Sequence, residues 1–328
     1  MVRLKDIAAA CGVSVATVSR ALNGLTNENK ERTAFICQTA RKMGYYPNAA
    51  ARTLKTSRSS NIGILYEDRM DHEYFSSLLD ELRSGADARG YDLTLIGRKN
   101  GRSNETYYDH ARRRNLDGVI VIQADFESPD VVRLAGSDIP SVMIDHIFEG
   151  CDCVSSDNRS SMEQIVRFAY SRGHRKIAFI TGQESTVVQE RLDGFYKICA
   201  ELGLRVPEGY VREGKFQNPE ICLSIVRELL KMAEKPTCIL CPDDYSCLGA
   251  LWNLKAEGVK IPEDVSLIGY DGIRMSQSVR PALTTYRQNT EAIAREALGL
   301  LIEAIEKPDE HRPRQITVEG MLAEGKTI

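Results

Sequence analysis

The stretch Leu4–Asn23, LKDIAAACGVSVATVSRALN, decides how the front of the chain folds. Leu4, Ile7, Ala8 and Cys11 recur at helical spacing and fall on one face of a first helix. Gly12 breaks that helix, Val13 offers an apolar contact in the turn, and Ser14 can cap a second helix from Val15 onward. Ala8, Gly12 and Val18 have the spacing of a helix-turn-helix. The small Ala lets two helices approach, Gly accepts a left-handed turn, and Val packs between them. Thr17, Ser19 and Arg20 then give the second helix a polar edge, which an ordinary helical hairpin does not need.

The charge distribution agrees with that motif. Residues 1–60 carry ten Lys/Arg against three Asp/Glu, a charge of +7, while the rest of the 328-residue chain carries −10. A basic head on an acidic body fits a small unit that meets a polyanion and a larger one that does not. No run of about 18 apolar residues occurs, and the N-terminus lacks the apolar core of a signal peptide, so a cytoplasmic location is expected and no membrane partner.

The nine cysteines follow no framework spacing. Cys151-x-Cys153 and Cys238-x-x-Cys241 lie in apolar, strand-like stretches without a second pair or a His at metal spacing, so reduced, buried thiols are expected and no metal.

Behind the polar linker at 57–61 the pattern changes. Apolar runs NIGILY (61–66), YDLTLI (91–96), GVIVI (118–122) and SVMID (141–145) alternate with amphipathic stretches at 75–89, 104–115 and 129–137. The alternation restarts with KIAFITG (176–182), YVREG (210–214), TCILC (237–241) and VSLIGYD (265–271), with helices near 188–203, 218–233 and 244–257. Continuous apolar strands between helices of this length mean parallel βαβ units buried on both faces. Two sets of such units give two similar α/β subdomains. An extended LTTYRQ (283–288), a long helix near 289–306 and QITVEG (315–320) remain to be added to the two sheets. Ligands of open α/β sheets bind beyond the carboxyl ends of the strands, so two facing sheets form a cleft.

With these residues in view, the chain resembles the lactose/galactose repressor (LacI/GalR) family of bacterial transcription regulators. The matching text is KDIAAACGVSVATVSRALNG, RKMGYYPNAAARTLKT (41–56), SSDN (155–158), RGHRKIAFITG (172–182), ERLDGF (190–195), PDDYSCLGAL (242–251), PEDVSLIGYDG (262–272) and PALTTYRQ (281–288). The resemblance implies an α/β protein: a three-helix head over 1–47, a hinge helix and linker over 48–60, and a periplasmic-binding-protein-like body over 61–328. The body would divide into an N-subdomain (about 61–157 and 289–318) and a C-subdomain (about 158–288 and 319–328).

It also implies roles. The second helix would lie in the major groove, with Val15, Ala16 and Arg20 facing base edges and Thr17, Ser19 and Asn23 holding phosphates. Core packing is the alternative for Val15. Asn48–Lys55 matches the hinge helix, in which Asn48 and Arg52 face DNA and Leu54 stands where the family has a residue that wedges into the minor groove. Two departures are visible: Arg3 stands where many relatives have a capping Thr, and Arg32-Thr33 reverses the usual order of a phosphate-contacting pair.

For the cleft, the matched positions are Asp145, Arg191, Asp243 and Asp271, with Tyr74, Phe75 and Phe216 able to stack on a ligand face. Carboxyl groups with a guanidinium suit vicinal hydroxyls, so the expected effector is a sugar or glycoside, with a nucleobase or nucleoside as the alternative. Asp243 replaces a common family Asn and adds charge that disfavours an anionic ligand. Asp244 is expected to cap the helix after Pro242, and Asp157 to tie a crossover; Asp68 and Arg69 are weaker ligand candidates.

Phosphate-loop, dinucleotide, nucleophile-elbow and zinc-protease motifs are missing and the five His are scattered, which disfavours an enzyme. A sugar-binding protein without DNA contact is a second rival. The expected whole is a homodimeric repressor that binds a pseudo-palindromic double-stranded operator and answers to a small molecule, with no cofactor.

Overall fold

A computed structural model describes residues 2–22, 30–45, 58–67, 72–97 and 105–328. The chain divides into two compact units, Met1–Ser60 and Asn61–Ile328.

In the first unit, α1 (Leu4–Cys11), α2 (Val15–Leu22) and α3 (Lys30–Lys42) enclose a small core of Ile7, Ala8, Val18, Ala21, Ile36 and Ala40. Gly12 ends α1 in the left-handed region (φ 62°), and the Val13 N–H returns to the Ala8 carbonyl at 3.0 Å. Ser14 opens α2 as expected, its Oγ accepting the Thr17 N–H at 3.1 Å. Arg3 offers α1 no side-chain oxygen, but Asp6 compensates from within the helix by accepting the Arg3 N–H at 2.8 Å.

The second unit has two lobes. In lobe 1 the strands are β1 (Asn61–Tyr66), β2 (Asp92–Ile96), β3 (Gly118–Ile122), β4 (Ser141–Ile144), β5 (Asp152–Ser156) and β11 (Gln315–Val318), in the order β11-β5-β4-β3-β1-β2, all parallel. Helices α4 (Glu73–Asp87), α5 (Tyr107–Arg113), α6 (Pro129–Ala135) and α12 (Thr290–Glu306) belong to this lobe, and α4 packs directly on α12.

Lobe 2 holds β6 (Ile177–Thr181), β7 (Val211–Glu213), β8 (Cys238–Leu240), β9 (Ser266–Asp271), β10 (Thr284–Arg287) and β12 (Met321–Ala323), in the order β12-β10-β9-β8-β6-β7. Its helices are α7 (Asn158–Ser171), α8 (Thr186–Glu201), α9 (Pro219–Leu230), α10 (Asp244–Ala256) and the short α11 (Arg274–Ser278). The two strand orders correspond position by position, so β4 and β9 hold equivalent places.

The central strands β1, β3, β4, β6 and β8 are buried on both faces, which is why they read as unbroken apolar runs. Two short elements gave no such signal: α11, and β12, an exposed to half-buried strand antiparallel to β10. The chain passes between the lobes after Ser156, after Gln288 and after Val318. Two of these crossovers are stitched to each other by the Asp157 N–H to Val318 O bond (2.9 Å), and the other is tied to the end of β9 by the Gln288 N–H to Asp271 O bond (3.1 Å). Asp157 also caps α7, accepting the Ser160 N–H at 2.9 Å.

The cysteines are free, and seven of them, Cys151, Cys153, Cys199, Cys222, Cys238, Cys241 and Cys247, are buried. Among the described residues no helix is long and apolar enough to cross a membrane, and no three His, Cys, Asp or Glu side chains converge as a metal site.

Candidate functional site

On α2 of the head, Val18 is fully buried, whereas Val15 is 45% exposed and Ala16 and Arg20 are exposed beside it. The core-packing alternative for Val15 is therefore wrong: the side chain lies outside the core formed by Ile7, Val18 and Ile36. Thr17 and Ser19 are half-buried, and the Thr17 hydroxyl meets that of Ser14 at 2.8 Å. Asn23, Asn48, Arg52 and Leu54, together with Asp68 and Arg69, lie outside the described residues.

A cavity of about 320 Å³ opens between the lobes at the carboxyl ends of both sheets. That is the small end of the range for ligand pockets. Asp145 reaches it from the end of β4 and Asp271 from the end of β9. Both have left-handed backbones (φ 60° and 103°), a conformation that side chains other than Gly adopt at a cost and that clusters at functional sites. The Asp145 carboxyl accepts the Ser156 N–H at 3.2 Å. Burial pushes it up to about 6, with Ser156 and Arg191 pulling the other way. Asp271 is held well above the usual carboxylate range by burial and by the nearby Asp243 and Asp244, against Arg191 and Gln288. Its carboxyl accepts a Gln288 amide N–H at 2.7 Å and lies 3.9 Å from His72 Nε2. The His72 ring is fixed because Nδ1 caps α4, accepting the Phe75 N–H at 3.2 Å.

Arg191 crosses the floor of the cavity from α8. Its Nε donates to Asn158 Oδ1 at 3.1 Å and its Nη1 to the Pro242 carbonyl at 3.2 Å. The guanidinium stacks on the Tyr270 ring, 3.4 Å from its centroid, and Phe216 covers it from further out at 5.7 Å. Phe216 needs Gly182 beside it, since a Cβ there would lie 2.1 Å from a ring carbon.

Six of the seven sequence-named cleft residues line this cavity: Tyr74, Asp145, Arg191, Phe216, Asp243 and Asp271. Phe75 does not. It is buried in the lobe-1 core, stacked on Tyr66 with ring centroids 3.5 Å apart. Adjacent positions on a helix point about 100° apart, so Tyr74 and Phe75 do not share a wall. The roles of Asp243 and Asp244 also need correction. Asp243 is the cap of α10, accepting the Ser246 N–H (2.7 Å), the Ser246 hydroxyl (2.8 Å) and the Gln217 N–H (2.8 Å). Asp244 lies deeper, accepts the Ile273 N–H at 2.9 Å, and burial raises its carboxyl to about 8.

Sequence reasoning missed Gln288, Gln123, His72 and the stacked pair Phe126–His146, all of which line the cavity. Gln288 joins the lobes: its Oε1 accepts the Ser156 hydroxyl while its amide N–H reaches Asp271. A polar residue ending the run LTTYRQ was the available signal. The Tyr74 hydroxyl and Gln123 Oε1 are buried without a protein partner, so they are positioned to bond a ligand.

A helix-turn-helix unit joined to a two-lobed ligand-binding body defines a ligand-responsive, DNA-binding transcriptional regulator. Residues 3–48 match the bacterial regulatory proteins of the lacI family, and residues 166–328 the periplasmic binding protein-like domain. The chain is 30% identical to the HTH-type transcriptional repressor PurR of Histophilus somni, over 98% of each chain. It is also 30% identical to PurR of Vibrio cholerae, over all of this chain and 98% of that protein. Among solved structures, a transcriptional regulator CelR–cellobiose complex superposes over the full length of both chains (TM-score 0.71, 25% identity). The lac repressor dimer bound to operator and an anti-inducer shares the fold over 99% of this chain and 98% of its own (TM-score 0.79, 21% identity). The chain belongs to the lacI family of bacterial regulatory proteins, whose members are transcriptional regulators.

Proposed function

We propose that the protein is a homodimeric repressor, acting in the cytoplasm, whose affinity for a pseudo-palindromic operator is set by a sugar or glycoside in the interlobe cavity. The observation that carries the ligand class is the convergence of Asp145 and Asp271 from opposite lobes on one cavity with Arg191 and the unpartnered Tyr74 hydroxyl. Carboxyl groups both accept and, when protonated, donate, which matches a ring of hydroxyls. The cellobiose-bound neighbour supports the same reading. A nucleobase is the second reading, favoured by the flat Phe126–His146 pair (centroids 4.0 Å apart) on the same wall.

On the DNA side, Val15, Ala16 and Arg20 are proposed to read base edges, and Leu54 to wedge the minor groove. Leu54→Ala should weaken operator binding strongly and leave effector binding intact. A thermal-shift screen of sugars, with nucleobases alongside, tests the ligand class. A melting temperature raised by sugars supports it, and one raised by nucleobases alone overturns it. Ligands that shift melting should also change operator affinity by about five- to 150-fold.

A further inference from the structure

The charges facing the cleft restrict the ligand beyond its being a polyol. Among the described residues, the cavity wall carries the carboxyl groups of Asp145, Glu184, Asp243 and Asp271, with Arg191 as the single Lys or Arg. The groove continuing outward past Phe216 and Gln217 adds Glu67, Glu73, Asp125 and Glu220 against Lys215. A ligand therefore approaches past negative groups and settles against a wall rich in carboxyl groups.

Arg191 does not present an open donor face to an anion, although its charge acts on Asp145 and Asp271. Two of its N–H groups are committed to Asn158 and Pro242, and a ring face covers its plane. Nor do the helix ends that border the cavity. At the start of α8 the Ser185 hydroxyl takes the Val188 N–H, directly after Glu184; at the start of α10 the Asp243 carboxylate takes the Ser246 N–H. An anion would need those amides uncapped. What the cavity offers instead is neutral: the Tyr74 hydroxyl and Gln123 Oε1, both buried and unpartnered, with Tyr74 only 4% exposed.

We propose that the cleft takes uncharged ligands and excludes their phosphorylated counterparts, so that the effector is a free sugar or glycoside and not a sugar phosphate. This rests on the polyol reading above and names the member of that class. Burial that keeps Asp145 and Asp271 reluctant to ionise acts in the same direction, because a carboxyl group carrying its proton can donate to a hydroxyl oxygen. A phosphate dianion entering the cleft meets the like charge of Glu184 and of the carboxylates along the outer groove.

The test uses the full chain with matched pairs: ribose, glucose, cellobiose and guanosine, each against its phosphate ester. Melting shift and titration calorimetry at millimolar ligand are the readouts. Binding by a neutral sugar at least about tenfold tighter than its ester is the expected result. A phosphate ester that binds as tightly as its parent sugar, or more tightly, overturns the charge rule and leaves the polyol reading standing. If only the guanosine pair binds, the polyol reading fails, and the same ratio decides the charge rule: nucleoside over nucleotide upholds it, nucleotide over nucleoside overturns it. Binding by no neutral member also overturns it.

Discussion

Asp145 and Asp271 are structural counterparts: Asp145 directly follows and Asp271 ends the third strand in its sheet order, each has a left-handed backbone, and their carboxyl groups line one cavity from opposite lobes. The two halves of the body thus contribute the same chemistry to the ligand from the same place in the fold. Burial raises both carboxyls, with Asp243 and Asp244 adding to the effect on Asp271 and Arg191 opposing it at both.

The first prediction follows from the sign of that shift. Asp145 titrates at about 6 when folded and near 4 when unfolded, so between these values the folded state holds a proton that the unfolded state has released. Stability from this group is complete below about pH 4 and is lost as pH rises through 6. Asp145→Asn keeps the oxygen that accepts the Ser156 N–H. It should stabilise the unliganded protein by about 1–3 kcal/mol at about pH 7.5, with the gain vanishing near pH 4. Thermal denaturation at several pH values measures this, and a constant gain across the range would disprove the assignment.

Arg191 has two duties. Arg191→Ala removes the cavity's guanidinium and also deprives Asn158 and the Pro242 carbonyl of buried donors. Loss of the ligand response should come with a destabilisation of about 2–4 kcal/mol. Arg191→Lys retains the charge but loses the planar stack on Tyr270, and should fall between. Urea denaturation with and without ligand separates the two effects; unchanged stability in the Ala variant would restrict Arg191 to the ligand.

Glu73, at the start of α4, accepts backbone N–H bonds from Arg274 and Met275 at the start of α11. A lobe-1 carboxylate thereby holds a lobe-2 helix at the mouth of the cleft. Glu73→Ala should weaken effector affinity about threefold to tenfold, since the ligand must then drive closure unaided. Calorimetry showing wild-type affinity would remove this contact from the closing motion.

In the head, Ser14 and Val15 make a matched pair. Ser14→Ala should cost about 1 kcal/mol by stranding the Thr17 N–H. Val15→Ala should change stability by less than about 0.5 kcal/mol, because that side chain is 45% exposed, while altering operator preference. Melting curves and binding to a randomised operator pool distinguish the two; a destabilised Val15→Ala would place the side chain in the core.

Much of this was legible in the sequence because burial on both faces leaves strands such as NIGILY and GVIVI uniformly apolar, and the acids of SVMID and IGYD stand out at their ends. The helix-turn-helix was legible because its small and turning residues have fixed offsets. Gln288 and Gln123 were not, since a polar residue after a strand acquires its role only from the neighbour across the cleft. The exchange of Asp243 and Asp244 turned on one residue of helix phase, which composition does not encode. Phe75 and Tyr74 are alike in type, and only the helix direction separates core from cavity. β12 is too short to show alternation.

The three crossovers between the lobes have a mechanical meaning. Two are bound to each other by the Asp157–Val318 backbone bond, and the Gln288 side chain ties the third to Ser156. We expect such a strap to bend about one axis more readily than it slides or twists. The body therefore behaves as a gauge with a single needle: whatever occupies the cavity is reported as one angle. Gln288, fastened to Ser156 inside the strap and to Asp271 on the cavity wall, is the pin through which the reading is made.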